Sequence, residues 1–182
     1  MNCWKTINYN KHYGSHRLFF MSSLTMLLTF IIIYGPVQHL AGTTSFHDNY
    51  FLLFIMSLWI MYPLHKLFHY LPIAHLGEKV SKLVTIKYGL FPIIQTKVCE
   101  PIAKWLFVIA LFTPFVVINS ILVWACFLFP HYVHYFTILL AFHVGICFSD
   151  LVRAKNVLSA PNHSYIEENE DGLEILLRSN NP

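Results

Sequence analysis

Four runs of nearly unbroken apolar residues, at about 18–36, 50–71, 102–129 and 132–152, constrain this 182-residue chain more than any other feature. A helix rises 1.5 Å per residue, so each run is close to or beyond the length that crosses roughly 30 Å of hydrocarbon. Inside a bilayer the backbone must satisfy its own hydrogen bonds, which makes each run a helix. Composition agrees, with 56% hydrophobic residues, 12% charged residues and a mean hydropathy of +0.54, where soluble chains carry about a quarter charged. The expected fold is therefore all-α and integral to a membrane, with four transmembrane helices.

The connections differ from one another. Residues 1–17 are polar and basic, and the apolar run that follows exceeds the 7 to 15 residues of a secretory signal, with no good cleavage site at Ala41-Gly42, so it reads as a retained span. Residues 39–49 form a short polar loop containing Gly42, Thr43 and Thr44. Between the second and third runs, Lys82–Tyr88 and Phe91–Lys97 flank Gly89 as two β-rich pieces, and Pro92 makes the second arm an edge. This predicts a hairpin within an insert at about 77–97. Glu100-Pro101 marks the expected start of the third helix, which Thr113-Pro114 and Asn119 interrupt. Residues 153–182 form a short acidic tail, where Asp171-Gly172 predicts a second small hairpin.

Charge orients the spans. Three of the twelve Lys and Arg residues lie in the N-terminal segment, six run from Lys66 to Lys104, and three follow Asp150. None lies in the first or third connection. Cytoplasmic placement of both termini in the cell membrane puts every positive charge on the inner side. The net charge of +3 thus serves topology, and no nucleic-acid partner is inferred. Cys3, Cys99, Cys126 and Cys147 show no C-x-x-C spacing, and the last two sit in apolar runs as small hydrophobes.

The second run ends in His65-Lys66-Leu67-Phe68-His69. Histidines four apart on a helix share a face about one turn apart and can bind one metal ion. In the active motif H-E-x-x-H, the residue after the first His is a general-base Glu. Here it is Lys66, and a protonated ammonium cannot accept a proton. With the four-span topology, His65 and His69 end the second span on the side where Asp150 ends the fourth, so the three can meet at one depth.

Each residue also has a plain reading. Eleven histidines placed at random give about 0.6 pairs at this spacing, and His12/His16 is a second such pair. Position is the stronger argument, because ionisable residues at a span's edge are costly. Asp150 alone reads as a surface acid beside Arg153, and Lys66 alone as a cytoplasmic anchor that snorkels outward. His143 lies two turns before Asp150 on a similar face, deeper, where a bond to a neighbouring helix is expected. Asn119 reads as a bridge between helices.

The order His65-Lys66-Leu67-Phe68-His69-Tyr70-Leu71-Pro72, basic β-like segment, Leu111-Phe112-Thr113-Pro114-Phe115, His143-Val144-Gly145-Ile146-Cys147-Phe148-Ser149-Asp150 and Pro161-bearing tail resembles a bacterial family. This is the multi-pass zincin peptidase domain family, of otherwise unknown function, whose layout is similar to that of site-2-type intramembrane metalloproteases. The resemblance covers the chain from about residue 50 onward. It implies that His65, His69 and Asp150 are metal ligands, that zinc is the cofactor, and that residues 77–97 hold a strand near a substrate path. The family's Glu has no counterpart, because Lys66 occupies its position; Glu78 is the nearest substitute.

Three readings follow. The first is a zincin-derived membrane protein, impaired in hydrolysis, that acts on a membrane-protein or peptide partner through interactions. The second is an active, atypical membrane zinc peptidase. The third is a non-enzymatic membrane interaction or transport protein with no metal, with a cytochrome using His69 and His143 beside it; the deeper position of His143 disfavours the cytochrome, and the scarcity of broken, polar midspan positions disfavours a transporter.

Overall fold

A computed structural model describes residues 2–8, 14–41, 45–87, 91–98, 100–169 and 172–177. Four long helices dominate it: α1 (Ser15–Ala41), α2 (Phe51–Tyr70), α3 (Lys104–Leu128) and α4 (Val133–Leu158). All four are long and apolar enough to cross a membrane. α3 packs between α2 and α4, and α1 lies against α4 at the outside. That docking depends on a glycine. A Cβ on Gly145 would come within 3.0 Å of Met26 Cβ and 3.2 Å of the Ser22 carbonyl, and the space lets Ser22 Oγ donate to the Gly145 carbonyl at 2.6 Å.

The fold is not all-α. A four-stranded antiparallel sheet is built from β1 (Asn2–Ile7), β4 (Ile102–Ala103), β5 (Ser164–Asn169) and β6 (Gly172–Leu177), in the order β1-β6-β5-β4. The N-terminal segment and the tail are thus hydrogen-bonded neighbours. β5 and β6 form the expected tail hairpin, although Asp171 in its turn lies outside the described residues. The third helix begins at Lys104 rather than at Glu100-Pro101, because Ile102 and Ala103 pair with Ile166 and Tyr165. Alternation explains the pairing: Ile102, Ile166 and Ile175 share one row of the register and are all buried. The expected insert hairpin is present as β2 (Val80–Lys87) and β3 (Phe91–Val98), with Pro92 opposite Ile86; Gly89 lies outside the described residues. So do Gly42, Thr43, Thr44 and His12.

These pairings fix the direction of every helix. β1 precedes α1, β4 precedes α3, and β5 and β6 follow α4, so both terminal segments gather at one end of the bundle. The two connections without Lys or Arg meet at the other end, where the His47 amide donates to the His131 carbonyl at 3.1 Å and the two imidazoles stack. At the sheet end, Lys104 is buried, and its ammonium donates to the Leu158 carbonyl at 3.1 Å and to the Ala160 carbonyl. A cation there satisfies carbonyls that the end of α4 leaves free.

Candidate metal centre

Near the sheet end, α2, α3 and α4 bring together the polar residues that their apolar runs conspicuously retain. His65 and His69 lie on successive turns of α2, and Asp150 is two turns from the end of α4. All three are buried, at 1%, 8% and 5% exposure. His65 Nε2 is 3.0 Å from Asp150 Oδ2, His69 Nε2 is 3.2 Å from the same oxygen, and the two Nε2 atoms are 3.0 Å apart. The convergence expected from the topology is present.

What this triangle can hold follows from where the protons sit. His69 Nδ1 is 2.8 Å from the Ala110 carbonyl. A carbonyl only accepts, so Nδ1 carries the hydrogen and Nε2 presents a lone pair. The Ala110 carbonyl is available for a reason legible in the sequence: residue 114, four positions on, is a proline and has no N–H to give it. A parallel chain fixes His65. His143 Nδ1 donates to Asn119 Oδ1 at 2.8 Å, so His143 Nε2 accepts from His65 Nδ1 at 3.1 Å, and His65 Nε2 is left as a lone pair.

Two imidazole lone pairs and a carboxylate oxygen therefore face one another at 3.0–3.2 Å inside a buried site. Three acceptors at that separation repel unless a cation lies among them. Tetrahedral zinc with bonds near 2.0–2.1 Å separates its ligands by about 3.3 Å. The donor set thus fits a divalent metal, with the outer-sphere partners that metal-ligating histidines require. His143 and Asn119 act one step out, as orienting groups. Sequence reading placed both between helices without seeing that they form one chain; the signal was that Asn119 and His143 are the polar interruptions nearest this depth in α3 and α4. His65 lies against His143, which leaves no macrocycle-sized space between His69 and His143.

Lys66 stands beside the triangle and is not one of its converging residues. Its ammonium lies over the Tyr62 ring, 5.8 Å from the centroid and one turn back along α2. It also lines a cavity of about 50 Å³ that opens beside His69 and Asp150 and is bounded by Arg153 and Glu168. That volume holds one or two waters. Glu168 comes from β5, where its carboxylate accepts the Val98 amide at 3.2 Å and pairs with Arg153 at 3.7 Å. Sequence reading left Glu168 in the acidic tail, because the local hairpin signal does not show that β5 returns to the cavity. The side chain of Glu78 lies outside the described residues.

A protein-family comparison matches residues 58–165 to the family described as "Putative zincin peptidase". The chain belongs to that family. The matched segment contains His65, His69, Asn119, His143 and Asp150, and it excludes α1, β1 and β6. No curated protein and no solved structure matches the chain.

Proposed function

We propose that this zincin-family protein is a multi-pass protein of the cell membrane that holds zinc through His65, His69 and Asp150 and is impaired as a peptidase. The observation that carries the metal assignment is the set of three lone-pair atoms 3.0–3.2 Å apart, with the two imidazole protons committed to the Ala110 carbonyl and to His143, which Asn119 holds in turn. Four helices of spanning length support the membrane assignment, and the connections without Lys or Arg, gathered at the end away from the sheet, support cytoplasmic termini. Zinc at such a centre supplies Lewis acidity toward a bound oxygen. The chain's own residues orient the ligands and bury them beside a water-sized cavity, but the position that should move a proton carries Lys66, whose charge is held over Tyr62. The function that fits is recognition of a membrane-protein or peptide partner by a metal-stabilised scaffold.

A second reading, an active atypical peptidase, is favoured by one observation: Glu168 is a carboxylate on the same cavity as His69 and Asp150. Metal analysis of the purified protein beside the His65→Ala, His69→Ala double variant, with a peptidase assay, separates the two. Stoichiometric zinc lost in the variant, with no hydrolysis by the parent and hydrolysis gained by Lys66→Glu, supports the first. Hydrolysis by the parent that Glu168→Gln abolishes supports the second.

A further inference from the structure

His65 has polar partners on both edges of its ring. Opposite the Asp150 side, its Nδ1 is 3.1 Å from His143 Nε2 and 3.8 Å from Cys147 Sγ, and that sulfur is 3.6 Å from His143 Nε2. All three residues are buried, Cys147 at 1% and His143 at 0% exposure, and their donor atoms lie within 4.8 Å of one another. His143 and Cys147 are one turn apart on α4 and meet His65 across the helix interface. A cation of zinc's size, with two nitrogens at about 2.0 Å and a sulfur at about 2.3 Å, holds them roughly 3.3–3.6 Å apart. The observed triangle is within a few tenths of an ångström of that.

We propose that His65 Nδ1, His143 Nε2 and Cys147 Sγ form a second metal site, for a thiophilic ion of the Cu(I) or Cd(II) kind, that shares His65 with the zinc centre and competes with it. The donor set selects the ion, since thiolate with imidazole favours soft metals over the harder nitrogen–carboxylate set. Cys147 Sγ is also 3.8 Å from His143 Nδ1, so it lies beside that ring, and the exchange needs a side-chain rotation that turns the sulfur toward Nε2 together with a proton shift. His143 keeps its Nδ1–H on Asn119 Oδ1 and offers Nε2 in either case. His65 needs only to shift its hydrogen from Nδ1 to Nε2, where it donates to Asp150 Oδ2 at 3.0 Å; its Nδ1 then becomes the ligand. Cys147 releases its thiol proton on binding. One neutral imidazole cannot serve both edges, so a soft ion withdraws a ligand from zinc. The competition rests on the zinc reading, whereas the second site itself does not.

The test is Cd(II) titration of the full chain in detergent under anaerobic conditions, followed by the near-ultraviolet thiolate-to-cadmium charge-transfer band. The expected result is one equivalent with a thiolate band in the parent and in the His69→Ala, Asp150→Asn double variant, a band lost in Cys147→Ser, and a band kept in the Cys126→Ser control. A ¹¹³Cd resonance of the unsubstituted protein, shifted as one sulfur ligand requires, gives the same answer without any variant. A band that survives Cys147→Ser, no band in the double variant, or a resonance of nitrogen and oxygen ligands alone overturns the proposal. A parent that binds no zinc but gives the cadmium band overturns the zinc reading and leaves this one standing.

Discussion

At the scale of single residues, the centre depends on which atom holds each hydrogen. Asn119 is the anchor of that order, since its amide oxygen fixes His143 and, through it, His65. Asn119→Leu removes the acceptor and leaves zinc affinity about 10- to 100-fold weaker, the usual cost of losing an outer-sphere partner; competition with a fluorescent chelator measures it. Pro114 acts on the other ligand by what it lacks. Pro114→Ala supplies an amide that competes with His69 Nδ1 for the Ala110 carbonyl, so zinc binding weakens by about tenfold on the same scale while the helix itself is better bonded. The histidine pair was legible in the sequence because helical spacing is local. Its supports were not, because the Thr113-Pro114 break reads as a simple interruption until the position of His69 is known.

At the scale of elements, two glycines admit close neighbours. Gly145 lets α1 approach α4, and a Cβ on Gly172 would overlap the Ile7 carbonyl where β1 joins β6. Gly172→Ala is expected to detach the end of β1 and cost about 1–3 kcal/mol, as overpacking does, read as a lower unfolding temperature with α-helical signal retained at room temperature. The two hairpins were readable from composition, because β-branched residues around a glycine signal one with no knowledge of the rest. The sheet that joins β1 to β6 was not. Its partners lie at opposite ends of the chain, and the single row Ile102, Ile166 and Ile175 that buries it is assembled from separate segments. The start of α3 was misplaced for the same reason, since Ile102 and Ala103 look like helix until β5 is there to pair with them.

At the scale of the whole molecule, strand pairing and charge distribution agree. The sheet gathers both terminal segments at one end, the basic connections share that end, and those without Lys or Arg share the other. Cysteines introduced at His47 and at His163, both exposed, should therefore differ in intact cells: a membrane-impermeant maleimide labels position 47 and reaches position 163 only after lysis. Labelling of both, or of position 163 alone, contradicts cytoplasmic termini. The proposed zinc centre lies toward the sheet end, which cytoplasmic termini would put near the inner leaflet, and its occupancy should feed back on the fold. A ligand at a hundred times its dissociation constant adds about 2.7 kcal/mol to stability, so chelation should lower the unfolding temperature of the parent and leave that of the His65→Ala, His69→Ala variant unchanged. The most direct measurement is zinc K-edge X-ray absorption on the purified full-length protein. The account predicts one zinc per chain with a first shell of nitrogen and oxygen at about 2.0–2.1 Å and imidazole scattering beyond it; a shell led by sulfur at about 2.3 Å, or no bound zinc, would contradict it.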